Sequence, residues 1–161
     1  MRIFYSGITL SGRRTTLRAL AKPISPPLAD VQIRCEDTGA LWRESLVRSP
    51  VDGTIDAQGL FLRDAHAVVV VVDSQLSRLQ ASVEHLARLR AGLVDIGREP
   101  ETLPIVFQCN KRDLPEVASE AQLRSALEWP HCVYVESVAR TGAGVVEALR
   151  TAISLVALPK P

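Results

Sequence analysis

The sequence predicts an α/β fold, a mostly parallel sheet with helices on both faces, from three observations. Apolar runs alternate along the chain with amphipathic helical patterns, the order that builds strand-helix-strand units. Two of those runs, at 67–72 and 103–109, are nearly free of polar residues, as strands covered on both faces must be. The turns that follow the runs at 3–6 and 103–109 carry glycines in one case and Asn110-Lys111-Arg112-Asp113 in the other. In an open parallel sheet such turns lie together beyond the C-terminal strand ends, where ligands bind.

The elements are expected in this order. A short strand covers 3–6, and a helix covers 15–22 until Pro23 stops it. The linker 22–30 is proline-rich. Runs at 31–35 and 41–48, joined by the polar turn Glu36-Asp37-Thr38-Gly39, read as an antiparallel hairpin. A loop at 49–53 leads to a short, weak helix at 55–64. The alanine and five valines of 67–72 form a β-branched central strand. Leu79, Val83, Leu86, Leu89, Leu93 and Ile96 recur at helical spacing, which predicts an amphipathic helix over 77–96. A strand at 103–109 follows, then a helix at 119–128 whose Ser119 and Gln122 form a capping box. A strand at 133–136 and a helix at 144–158 close the chain. The sheet should have five or six strands, with 67–72 and 103–109 inside it.

Composition narrows the function. A chain of 161 residues is expected to form one domain, 1–161, burying roughly two thirds of its unfolded surface. With 47% hydrophobic but only 4% aromatic residues, the core must be aliphatic. A formal net charge of +1 gives no electrostatic reason to expect nucleic acid or an anionic membrane as a main partner. Cys35, Cys109 and Cys132 are an odd number without metal-ligand spacing, as expected of buried thiols in a reducing cytoplasm. The apolar start is too short for a signal-peptide core, and the chain end carries no prenylation box. The longest apolar run, 65–72, is far short of a membrane span. A cytoplasmic protein with no membrane anchor is the expectation.

Gly7-Ile8-Thr9-Leu10-Ser11-Gly12-Arg13-Arg14 has the two glycines of a phosphate loop at the right spacing, between a strand and a helix N-terminus. Backbone amides and the helix dipole would there face phosphate oxygens. The full motif continues with a lysine for the outer phosphates and a hydroxyl for magnesium. Here Arg13 and Arg14 hold those places. A guanidinium keeps the charge but cannot ligate a cation, so magnesium of the usual kind loses its protein ligand. Thr15 and Thr16 come one and two residues late, and each helical step rotates a side chain by about 100°. They should face elsewhere, Thr15 being the oxygen to take over a metal if Arg14 turned away.

Asn110-Lys111-Arg112-Asp113 has the three fixed letters of a guanine-reading turn. Asp113 would accept from the guanine N1 and N2 groups, the Lys111 stem would lie over the base, and Asn110 would tie the turn to the phosphate loop. Ser137-Val138-Ala139, after the last strand, stands where a small-residue turn would meet guanine O6. His66, His85 and His131 are scattered and suggest neither a metal site nor a catalytic triad. Arg18 reads as part of a solvated helix face.

These residues resemble a Ras-like P-loop three-layer sandwich, and in detail the MglA-type bacterial small GTPases. The resemblance rests on Val70-Val71-Val72-Asp73-Ser74, on Leu103 through Pro115, on Tyr5-Ser6-Gly7 with Leu10-Ser11-Gly12, and on Thr141-Gly142-Ala143-Gly144-Val145. It implies guanine nucleotide binding, as GDP or GTP, and regulation by a roadblock-type protein partner. The chain departs from the family at Arg13-Arg14, where members carry lysine and threonine. It departs again in the linker 22–30, where only Ser25 offers a switch hydroxyl, and in 49–53, which lacks the second-switch pattern. Asp56-Ala57-Gln58-Gly59 and Asp37-Thr38-Gly39 match that pattern only in fragments. The resulting expectation is a degenerate GTPase domain, regulatory or scaffolding, with little or no hydrolysis. The alternatives are an active switch completed by a partner, or a partner-binding domain with an empty pocket.

Overall fold

A computed structural model describes residues 2–20 and 62–157, together with the backbone of 32–35. Its strands are β1 (Arg2–Ser6), β2 (Gln32–Cys35), β3 (Ala67–Asp73), β4 (Ile105–Asn110) and β5 (Val133–Glu136). Its helices are α1 (Arg13–Leu20), α2 (Leu79–Asp95), α3 (Glu120–Ala126) and α4 (Val145–Ala157). The five described strands form one sheet in the order β2-β1-β3-β4-β5, and every pairing is parallel.

The valine run explains the layering. All seven residues of β3 are buried, and alternate side chains leave a strand on opposite faces. Val68, Val70 and Val72 pack with Leu86, Leu89 and Leu93 of α2 and Leu123 of α3. Val69 and Val71 pack with Leu17 and Leu20 of α1 and with Val145, Ala148 and Leu149 of α4. One uninterrupted apolar strand therefore serves two cores. Truncating a fully buried leucine in either, such as Leu93 or Leu149, would cost about 2–5 kcal/mol.

Both expected interior strands are interior, and the capping box of α3 is formed. Ser119 Oγ accepts from the Gln122 amide at 3.2 Å, and Gln122 Oε1 accepts from the Ser119 amide at 2.8 Å. Helix α1 starts two residues before its expected position, at Arg13, and the amphipathic helix is preceded by a 3₁₀ turn, Leu76–Arg78.

The antiparallel hairpin needs correction. Its first strand exists, but β2 pairs parallel with β1, Arg2 opposite Gln32 and Tyr5 opposite Cys35. Two parallel neighbours require a crossover rather than a tight turn, and α1 lies in that crossover. The expected second strand, 41–48, falls outside the described residues, as do the linker 22–30, the loop 49–53 and both Asp-x-x-Gly fragments. Of the weak helix at 55–64 only Leu62 and Arg63 are described as helical.

Cys109 is buried and Cys132 half-buried, both as free thiols. Burial pushes the Cys109 thiol up to about 12, so it is an inert core residue. Among the described residues no helix is long and apolar enough to cross a membrane.

Candidate nucleotide site

The C-terminal ends of β1, β4 and β5 bring three predicted segments to one edge of the sheet. The loop after β1 turns through Gly7 at φ +149°, Leu10 at +67° and Gly12 at +98°. A side chain at Gly7 would strike the carbonyl of Val71, and one at Gly12 would strike the Asn110 amide. Both glycines are thus required by close approach as well as by φ. The loop closes with the Ser11 amide donating to Ile8 O at 3.1 Å, and α1 starts with the Thr16 amide donating to Gly12 O at 2.9 Å.

Asn110 joins the three segments. Its Nδ2 donates to Ser11 O at 2.8 Å, while Oδ1 accepts from the Ala139 amide at 2.8 Å and from Ser137 Oγ at 3.3 Å. It is 2% exposed. Below it, Gln108 Nε2 donates to Thr16 Oγ1 at 2.9 Å and to Ser137 Oγ at 3.1 Å. The Thr16 hydroxyl therefore points into the core, as its helical position predicts, and is already engaged. The amide of Arg112 donates to Ser137 O at 3.3 Å, which fastens the Asn-Lys-x-Asp turn to the small-residue turn a second time. Val138 O in turn accepts from the amides of Thr141 and Gly142, both at 3.0 Å.

The charged groups are paired around this frame. Lys111, at φ +65°, donates through Nζ to Asp73 Oδ2 at 2.6 Å. The Asp73 side chain is 1% exposed, and its Oδ1 accepts from the Gln75 amide at 3.2 Å. Arg78 stands 3.9 Å from the same carboxylate and donates to Thr9 O of the phosphate loop at 2.9 Å. Asp113 accepts from Arg140 Nε at 2.8 Å. That hydrogen bond holds the Asp113 carboxyl below its ordinary range, and an ionised carboxylate is an acceptor only. Arg13 folds back over the loop and donates to Gly7 O at 2.9 Å. Arg14 and Arg18 are exposed, and Thr15 is half-buried.

All twelve predicted site residues thus lie on the three segments at this edge. Sequence reasoning missed three of their partners, Asp73, Arg140 and Gln108, and two further residues that bond beside them, Arg78 and His85. Asp73 and Arg78 were visible only as the end of the valine strand and the start of a helix, and Arg140 directly follows the small-residue turn. Gln108 was the one polar letter in a buried run, a usable signal. His85 carried no signal, because it lies mid-helix and far from the loop in sequence. Its Nε2 is nevertheless 2.8 Å from Ser6 Oγ. Burial, then the charges of Arg88 and Arg13, lower its pKa to about 4, so the ring is neutral near pH 7.

A concavity of about 530 Å³, lined by Arg90, Arg124, Glu128, Trp129, Cys132 and Tyr134 among others, lies near the start of β5. It belongs to the opposite end of the sheet and to none of these segments.

A buried parallel sheet, a glycine loop leading into a helix and an Asn-Lys-x-Asp turn tied to that loop define the Ras-like small-GTPase fold. The solved structure of the Arl6 BBS3 small GTPase from Trypanosoma brucei, with bound nucleotide analogue GppNp, is similar over 98% of this chain and 97% of its own, with a TM-score of 0.65 and 23% identity. No family model matches. The mutual gliding-motility protein MglA of Myxococcus xanthus is 38% identical over 97 residues, 60% of this chain. The chain spans about half the length of that relative, since the match covers 50% of it. The chain therefore has the small-GTPase fold, and over those 97 residues its sequence is similar to MglA.

Proposed function

We propose that this chain is a degenerate small-GTPase domain that binds guanine nucleotide and acts as a regulatory or scaffolding module, with little or no hydrolysis. One observation carries the reading. The base-reading turn is wired to the phosphate loop through Asn110, while the hydroxyl position of that loop is held by an exposed arginine, Arg14.

The residues present fit a guanine nucleotide. Asp113 supplies the carboxylate for the base, Lys111 and Arg140 stand beside it, and the amides of the loop and of the α1 N-terminus offer donors to phosphate. Arg13 takes the place of the lysine. Its contact with Gly7 O supports a guanidinium that already lies across the loop, where outer phosphates would meet it.

Among the described residues, those around the loop do not fit a magnesium ion of the usual kind. Arg14 has no lone pair to give, and its charge would repel a divalent ion. The Thr16 hydroxyl is engaged by Gln108, and the Asp73 carboxylate by Lys111 and the Gln75 amide. Without a hydroxyl ligand for the metal at position 14, phosphoryl transfer loses one of its main supports.

MglA, by its name, is a gliding-motility protein, and the likeness supports regulation through a roadblock-type protein partner. Titrating labelled GDP, GTP and ATP, each with and without magnesium, tests the reading. Guanine nucleotides should bind, ATP should not, and magnesium should matter little. Multiple-turnover GTP hydrolysis by the isolated chain within seconds would refute the proposal.

A further inference from the structure

Among the described residues the exposed large hydrophobic side chains are Leu10, Leu76, Val94 and Leu114. Leu10 is the most exposed, at 78%, and alone of the four has a positive φ, +67°. A leucine there brings the isolated chain a cost without a gain. The left-handed backbone is strained for any side chain with a Cβ, and the exposed isobutyl group gains nothing from burial. Glycine would relieve the strain, and this loop already has glycine at its two other positive-φ positions, Gly7 and Gly12. An outlier of this kind at the rim of a site points to a ligand that covers it.

The neighbours of Leu10 locate that ligand. On one side the Thr9 carbonyl is held by Arg78 at 2.9 Å, and on the other the Ser11 carbonyl is held by Asn110 at 2.8 Å. Arg78 and Lys111 both reach Asp73, so the stretch of loop that carries Leu10 is the part tied on both flanks to the turn that would take the base. A nucleotide spanning these two must carry its sugar past this residue.

We propose that Leu10 is the apolar cover of the sugar of the bound guanine nucleotide, and so sets the preference of the site for nucleoside diphosphate over bare diphosphate. The inference rests on the nucleotide-binding reading above. Contact with the sugar's C–H face would remove the leucine from water, a gain available only to the complex.

The test measures GDP and inorganic pyrophosphate affinities of the parent chain and of Leu10→Gly, Leu10→Met and Val94→Ala, with a thermal melt of each nucleotide-free protein. Leu10→Gly should melt higher than the parent yet bind GDP about tenfold more weakly, with pyrophosphate affinity unchanged. Leu10→Met should bind GDP as the parent does, and Val94→Ala, exposed on α2, should change neither affinity. Unchanged GDP binding by Leu10→Gly would overturn the inference and leave nucleotide binding standing. Equal losses for GDP and pyrophosphate would also overturn it, by assigning the effect to loop geometry. A parent chain that binds no GDP would refute both this inference and the reading beneath it.

Discussion

The two halves of the site are built on different principles. On the base side, the side chain that positions everything is buried and wired across the sheet, with Asn110 bonded to Ser11 of the loop after β1 and to Ser137 and Ala139 of the turn after β5. On the phosphate side, the two altered letters sit on the first turn of a single helix, Arg13 over its own loop and Arg14 exposed. A substitution on the base side would leave buried groups without partners, whereas one on the first turn of α1 changes charge with little effect on packing. The difference teaches which half of a nucleotide site can be rewritten while the fold persists.

The largest effect should come from Asn110→Ala. It removes the acceptor of the Ala139 amide and the donor to the Ser11 carbonyl, and each buried group left unsatisfied costs about 1–3 kcal/mol. A stability loss of about 3 kcal/mol in urea titration, with GDP binding abolished, is expected. A variant as stable as the parent would break the comparison.

Arg13→Ala with Arg14→Ala should do the reverse, weakening GDP binding by roughly tenfold to a hundredfold while lowering the melting temperature little. Calorimetric titration and a melt on the same sample separate the two effects. A collapse of stability would show that the arginines are structural.

His85 gives a pH test of the loop's floor. Its folded pKa, about 4, lies below the ordinary 6.5, so the unfolded chain binds the proton more tightly. Its contribution is fully present above pH 6.5 and is lost as pH falls toward 4, amounting to at most about 3 kcal/mol. The stability of the parent should therefore fall more steeply over that window than that of His85→Gln, followed by urea titration at several pH values.

A smaller, qualitative change is expected of Asp113→Asn, which should shift preference from guanine toward xanthine nucleotides in competition binding. Unchanged preference would remove the turn from the site. The smallest effect belongs to the metal. Adding EDTA should change GDP affinity by less than about threefold, because no hydroxyl at position 14 links the ion to the loop. Strong magnesium dependence would place Thr15, or another oxygen, in the role that Arg14 has vacated.

Local pattern was enough for the regular elements, since periodicity and capping are written in adjacent letters. The valine run, the amphipathic stretch from Leu79 and the Ser119 box each announced its element within a residue or two. The positions of the glycine loop and the Asn-Lys-x-Asp turn were legible for the same reason, because each is one contiguous stretch that follows a strand. Residues that act across the sequence were not legible. The parallel pairing of β2 with β1 depended on a crossover that no hairpin pattern contains. The contacts of Asp73 with Lys111, of Gln108 with Thr16 and of His85 with Ser6 join residues 38, 92 and 79 positions apart. Such pairs exist only after the sheet has set its strand order, because burial forces each polar group to find whatever partner the packed chain has brought within hydrogen-bond reach.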